Sequence, residues 1–127
     1  MTVTLFDIKS RSILADGLSF GEVGQYEFVE GTLHYEIDPK HPDNELVTDI
    51  NIASTAENGK VQFASDIQLL RPINPKPDSS LLLSIVNRGG RSSMIFNDAP
   101  NVWPTQEPDP GNGFLMRNGF TVVFCGW

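Results

Sequence analysis

The sequence predicts a strand-rich α/β protein in which antiparallel strands lead into a parallel βαβ-like unit. Residues 1–70 mostly alternate between apolar and polar side chains, which is typical of antiparallel strands with one solvated face. Residues 80–86 and 120–125 are instead almost continuously apolar, as in strands that are covered on both faces. We therefore expect one partial domain in the 127 residues, with an antiparallel region over 1–70 and a mixed unit over 80–127.

The antiparallel region is divided into strands by its turn signals. Val3 and Leu5 are predicted to share one side of the first strand, and Gly31 is predicted to form a hairpin turn. A second turn is expected at Asn58-Gly59, a dipeptide that suits positive backbone φ angles. The expected strands cover residues 2–7, 26–30, 32–37, 45–53 and 60–70.

The second region begins after residues 71–78, which contain three prolines and interrupt regular structure. The strand over 80–86 is followed by a glycine loop and a segment rich in proline and asparagine. Residues 113–118 predict a short helix that turns Phe114 and Leu115 inward and ends at Gly119. The last strand, 120–125, would then lie parallel to the strand over 80–86.

The pattern also predicts that the domain is incomplete. Strands that are buried on both faces need helices on both sides of the sheet, and only one short helix can be recognised. The sequence ends directly after the strand 120–125, where α/β sheets place functional loops. The alternative is that the antiparallel region folds over these strands and covers them itself.

Composition and charge exclude several classes of function. A net charge of −7 argues against nucleic acid and against anionic membrane surfaces, which both attract basic patches. No segment is apolar for long enough to be a signal peptide or a membrane span, so a cytoplasmic, soluble protein is expected. With one cysteine and two histidines, neither a disulfide, a metal site nor a cofactor is expected.

The glycine loop after residues 80–86 is the strongest candidate for a functional element. Its members Asn87, Arg88, Gly89 and Gly90 follow an apolar strand, and two consecutive glycines allow backbone N–H groups to point into a cleft. Lipases and esterases stabilise an oxyanion in this way, so these four residues are the oxyanion-loop candidates. The simpler alternative is a turn that requires positive φ angles. Arg88 and Arg91 could bind a carboxylate or phosphate, or pair with nearby acids.

A G-x-S-x-G pattern occurs at residues 17–21, with Ser19 at its centre. In hydrolases this pattern forms a sharp turn between a strand and a helix, which exposes the nucleophilic serine. Here the preceding apolar segment is short, and the following residues 22–26 have a glycine and a β pattern. We therefore interpret residues 17–21 as a loop and assign no catalytic residue in this chain.

Several segments together resemble a bacterial family described as α/β-hydrolase-domain proteins. The resemblance extends from about Gly21 to the end of the chain, and it rests on the combination of its parts rather than on any one of them. These parts are residues 21–27, 31–35, 38–39, 41–42, 48–50, 86–90, 113–116, 119–120 and 125–127.

The resemblance implies an α/β-hydrolase fold and an esterase-like activity in a longer protein. Residues 80–86 would be its third strand and 87–91 its oxyanion loop, and the catalytic serine, acid and histidine would follow Trp127. An asparagine at position 87, where many esterases have a histidine, departs from that pattern. This chain alone would be inactive, and its substrate in the complete protein would be a small ester.

The competing hypothesis is a small β-rich binding or interaction module, complete at 127 residues. In that case the two apolar strands would be covered by the antiparallel region or by a second copy of the chain. Under either hypothesis, an uncovered sheet would favour self-association or binding of a completing chain.

Overall fold

The computed structural model describes residues 1–86, 89–99 and 106–126, and their main feature is one five-stranded sheet. Its strands are β1 Thr2–Ile13, β2 Tyr26–Ile37, β3 Val61–Pro72, β4 Leu81–Ile85 and β5 Thr121–Cys125. One α-helix, α1 Phe114–Arg117, and five 3-10 segments make up the other regular elements of the described residues. The 3-10 segments are Leu14–Gly17, Gly21–Val23, Pro42–Asn44, Ile50–Ile52 and Ser92–Asn97.

The strands lie in the order β1-β2-β3-β5-β4. The three long strands pair antiparallel with one another, and β5 continues this pattern against β3. Only the edge strand β4 runs parallel to its neighbour, β5. The parallel pairing that the apolar segments 80–86 and 120–125 predict is therefore present, but it is confined to one edge of the sheet.

The predicted fold class is wrong. A part of an α/β-hydrolase fold would have a mainly parallel sheet with helices covering both faces. The described residues instead form a mixed sheet in which three of the four strand pairings are antiparallel, and their one α-helix has four residues. The protein is therefore a small β-rich domain, and the local apolar pattern of two strands did not determine the class.

Gly31 does not form the predicted hairpin turn. It lies inside β2, which continues from Tyr26 to Ile37 without interruption. A Cβ atom at this position would clash with the backbone oxygen of Asp7 and lie 2.7 Å from the ring of Phe6. Glycine is therefore required by the close approach of β1 rather than by a turn.

The expected strand over residues 45–53 is also wrong, because turns and the 3-10 segment Ile50–Ile52 occupy this region. Alternation of apolar and polar residues did not suffice to form a strand here, because none of the described strands pairs with this segment. The turn at Asn58-Gly59 is confirmed, with Gly59 at φ +74°, and it leads into β3 as expected.

A change of register in β1 separates two residues that alternation had grouped together. Val3 pairs with Tyr35, whereas Leu5 pairs with His34, and the pairing shifts between them. Such a bulge adds a residue to one strand and moves the following side chains to the other face. Val3 and Leu5 therefore lie on opposite faces of the sheet.

Two further predictions concern burial in the second region. Strand β4 is not covered on both faces, because Leu81, Leu83 and Ile85 are exposed. Helix α1 is present and Gly119 has the expected positive φ of +73°, but only one of the two residues predicted to face inward does so. Leu115 is buried, whereas Phe114 is about half exposed.

The hydrophobic core lies on one face of the sheet. The loop residues Leu14 and Phe20 and the helical residues Leu115 and Met116 pack onto the strand residues that point to this side. The hydroxyl of Tyr26 reinforces the packing, because it donates to the carbonyl oxygens of Met116 and Phe120 at 3.1 and 3.0 Å. The strand residues of the core are Tyr26, Phe28, Leu70, Leu82, Val122 and Phe124.

Candidate functional site

The strand register assigns each side chain to one of two faces, because directly paired residues point to the same side. We call the side that carries the core the core face, with Phe28, Leu70 and Val122 among its residues. We call the other side the open face. Its central row crosses all five strands through Ile8, Gly31, Ile67, Cys125 and Ile85.

The open face is apolar over most of its extent. Next to the central row lie Val29, Leu69, Val123 and Leu83, which form a second row across four strands. Further along the long strands the same face carries Val3, Phe6, Leu33, Tyr35, Ile37, Val61 and Phe63. None of these side chains belongs to the hydrophobic core cluster of the described residues.

Exposure on the open face is highest at its rim. Leu83 and Ile85 of the edge strand are 54% and 61% exposed, and Phe63 is also exposed. Toward the middle of the face, Val29, Ile67 and Val123 are buried. Large exposed apolar patches on soluble proteins mark interaction surfaces.

The charged side chains of the open face lie together at one end. Glu27 forms an ion pair with Arg71 and a second one, at 4.0 Å, with Arg11. These three residues sum to a net charge of +1, whereas the whole chain has −7. The acids Asp7, Glu30, Glu36 and Asp66 project from the opposite face, as their pairing shows. The described strand residues of the open face therefore carry no net negative charge, in contrast to the chain as a whole.

One small polar cluster interrupts the apolar surface. The Tyr35 hydroxyl lies 3.2 Å from Ser65 Oγ and 3.7 Å from Cys125 Sγ, and its ring stacks on Phe63. Burial raises the pKa of Tyr35. Because the polar atoms contact one another, this cluster can be covered by an apolar partner at little cost in lost hydrogen bonds.

A second feature is a cleft of about 870 Å³ at the polar end of the core face, next to Gly89. Lys9 and Asp66 face each other across an ion pair of 3.7 Å at its rim. The lining includes Glu30 and Gln68 together with the apolar Phe124. The described lining includes no histidine and no thiol.

Arg91 anchors a chain of hydrogen bonds beside this cleft. Its Nε donates to Gln68 Oε1 at 2.9 Å, Gln68 Nε2 donates to Glu30 Oε1 at 2.8 Å, and Ser10 Oγ donates to Glu30 Oε2 at 3.0 Å. Arg91 also donates to the carbonyl oxygen of Gln106 at 2.7 Å. The arrangement fixes these side chains and holds the loop after β4 against the sheet.

Arg91 is fully buried, and its guanidinium lies 5.4 Å from the centre of the Phe28 ring. Burial lowers the pKa of Arg91, and the negative charge of Glu30 partly opposes that effect. The sequence suggested that Arg91 could bind an anionic ligand or pair with acids. The structure gives it an internal role instead, in which it joins the loop to β3 and β2.

The four oxyanion-loop candidates are only partly described. Asn87 and Arg88 lie outside the described residues. Gly89 lines the cleft with φ +77°, and Gly90 is buried. The positive φ at Gly89 fits both an oxyanion loop and a simple turn, so the assignment stays a prediction.

The other sequence candidates are not brought together. Ser19 lies in a loop, as expected, where it forms an isolated bridge with Gln25. His34 is on β2, and His41 caps a short turn by accepting from the backbone N–H of Asp43 at 3.2 Å. Among the described residues, no cluster of three or more His, Cys, Asp or Glu side chains could hold a metal ion.

Sequence reasoning missed both the continuous open face and the Arg91 network. The apolar residues of β1, β2 and β3 were recognised, but the predicted hairpin at Gly31 would have broken their surface in two. No sequence signal joins Arg91 to Gln68 and Glu30, because the strand register brings Gln68 to Glu30 and Arg91 reaches Gln68 from outside the strands.

Comparisons with family models, with curated proteins and with solved structures find no match to this chain. The resemblance to α/β-hydrolase-domain proteins therefore stays a prediction. In the part of the chain that the structure describes, no helix has the length and apolar character needed to cross a membrane.

Proposed function

We propose that this chain is a β-rich interaction module that binds a protein through its open face. The observation that carries the proposal is the apolar row that crosses all five strands, on which none of the described core-cluster residues packs. Apolar surface left in contact with water costs about 25 cal/mol per Å², so covering this face stabilises the covered state. A cytoplasmic location is part of the proposal.

The test uses the uncharged dye Nile red, whose emission rises on apolar surfaces and does not respond to the charge of the chain. The folded protein should bind the dye, and Leu83→Lys should reduce binding by placing an ammonium in the open face. The matched control is Leu5→Lys, because Leu5 has the same exposed fraction of 54% but lies on the core face of the other edge strand. Equal loss of binding in both variants, or no binding by the wild-type chain at a concentration where it is monomeric, would contradict the proposal.

An esterase-like activity in a longer protein is a second candidate. The position of Gly89 favours it, since a glycine with positive φ lines a cleft at the end of a strand. On this hypothesis the chain supplies oxyanion donors and no nucleophile. Assays with activated esters should therefore detect no turnover by this chain, and turnover abolished by Ser19→Ala would contradict the interpretation of residues 17–21 as a loop.

A further inference from the structure

We infer that the occupant of the open face is a second copy of this chain, so that two sheets stack face to face as a symmetric β-sandwich. This inference rests on the proposed function, because it names the partner of the same surface. Three features of the open face support a second copy: its area, its distribution of charge and its alternating pattern of apolar side chains.

The area of the open face matches a stable dimer interface. Three strands of twelve residues and two of five, spaced as in ordinary sheets, give a footprint of about 700 Å². A standard interface buries about 800 Å² on each partner, whereas crystal-type contacts are much smaller. A single peptide strand or helix would cover only part of this surface, so a partner with a sheet of equal width fits best.

The charge distribution permits two copies to approach. A chain with a net charge of −7 would normally repel its own copy. The other acids of β2 and β3 are on the core face, however, and Glu27, which points to the open face, is already paired with Arg71 and Arg11. Apposing two open faces therefore brings no unpaired carboxylate of the described strands against another.

The pattern of side chains suits the packing of one sheet on another. Two sheets pack about 10 Å apart, with their strands rotated by about 30°, when each contributes alternate apolar residues to a shared interior. The open face provides these residues on every strand. In a symmetric dimer the same patch acts on both partners, so Ile67 on the middle strand lies nearest the centre.

If two open faces stack, the reactivity of the Cys125 thiol should depend on the protein concentration. This thiol lies on the central row and is half-buried in the single chain. Stacking of a second sheet would cover it, so its reaction with a thiol reagent should slow as the protein concentration rises. The thiol serves here only as a reporter of covering.

Sedimentation velocity of the full chain from about 0.1 to about 100 µM, a range that brackets weak dimers, tests the inference. We expect a reversible shift from monomer to dimer. Leu83→Lys should raise the dissociation constant at least about tenfold, because each dimer buries two added charges. Ile85→Lys should act in the same direction, and Leu5→Lys should leave the constant within about twofold of the wild type.

The outcomes separate this inference from the proposed function. A chain that stays monomeric over this range but binds Nile red through the open face would overturn the second copy and leave the interaction module standing. A dimer that is unaffected by Leu83→Lys and Ile85→Lys would overturn the stacked arrangement in favour of pairing through a strand edge. A monomer without dye binding would overturn both proposals.

Discussion

The two faces of the sheet carry similar apolar side chains but differ in what covers them. On the core face, Phe28 and Leu70 are buried beneath residues of the loops and of helix α1. On the open face, Leu83 and Ile85 remain exposed although they belong to an equally apolar strand. The two faces therefore differ less in composition than in their coverage, because the described loop and helix residues of the core cluster pack on the core face.

This difference shows that burial in the single chain and suitability for burial are separate properties. The core face is stabilised within the chain, whereas the rim of the open face keeps exposed apolar side chains that a bound partner would cover on our proposal. Substitutions on the two faces should therefore affect different measurements. Core-face changes should alter the free energy of unfolding, and open-face changes should alter association.

The largest expected effect on stability is that of Leu70→Ala. Leu70 is fully buried in the core cluster, so the substitution leaves a cavity and should lower the free energy of unfolding by about 2–5 kcal/mol. Urea unfolding at low protein concentration measures this change. Leu83→Ala on the open face is the control and should change the value by no more than about 0.5 kcal/mol, since its side chain is already solvated. Comparable losses in both variants would contradict the distinction between the faces.

An intermediate effect is expected from Gly31→Ala. The added methyl group would meet the backbone oxygen of Asp7 and the ring of Phe6, so β1 must shift away from β2. We expect a loss of about 1–3 kcal/mol in the free energy of unfolding, as for other overpacked sites. Faster hydrogen exchange of the β1 amides would locate the change. If Gly31 were a hairpin turn, alanine would affect this exchange no more than at a neighbouring position such as Thr32.

A smaller effect is expected from Tyr26→Phe. The substitution keeps the ring in the core but removes the donor to the carbonyl oxygens of Met116 and Phe120. The free energy of unfolding should fall by about 1–2 kcal/mol, because buried acceptors lose their partner. Thermal unfolding near pH 7 measures this loss. A variant as stable as the wild type would show that the hydroxyl does not hold α1 to the sheet.

Ionisation of Tyr26 should make the free energy of unfolding depend on pH. Burial raises the pKa of Tyr26 from its ordinary 10.0 to about 12 in the folded chain. The folded state therefore binds the phenolic proton more tightly, and the free energy of unfolding should fall as the pH rises from 10 to 12. Tyr26→Phe should reduce this fall, and the remainder would come from Tyr35, whose pKa is also raised by burial. An unchanged slope in the variant would contradict the assignment.

The fold was partly predictable because local patterns carry real information about strands and turns. The strand β3, the turn at Asn58-Gly59 and the parallel pairing of β4 with β5 all follow from alternation, turn residues and apolar continuity. The fold class was not predictable from the same signals. A short apolar strand has the same sequence pattern whether it is covered on both faces or lies at the edge of a sheet with one face exposed.

The candidate site was less predictable than the fold. Gly89 was identified from its place after an apolar strand, and the structure places it at a cleft. The open face escaped prediction because Gly31 has two opposite interpretations, as a turn or as a point of close approach. Only the position of β1 decides between them, since the backbone of Asp7 occupies the space that a side chain would need.

The sequence by itself determined part of the local structure, such as strand β3 and the turn at Asn58-Gly59, because alternation and turn residues act over a few neighbours. The tertiary structure alone decided the order of the strands, the bulge that separates Val3 from Leu5, and the burial of Arg91. It also decided which face of the sheet received the core. These properties depend on pairing and packing between residues far apart in the chain. The hydrophobic effect is non-directional, so by itself it does not select which residues pair or which face is covered.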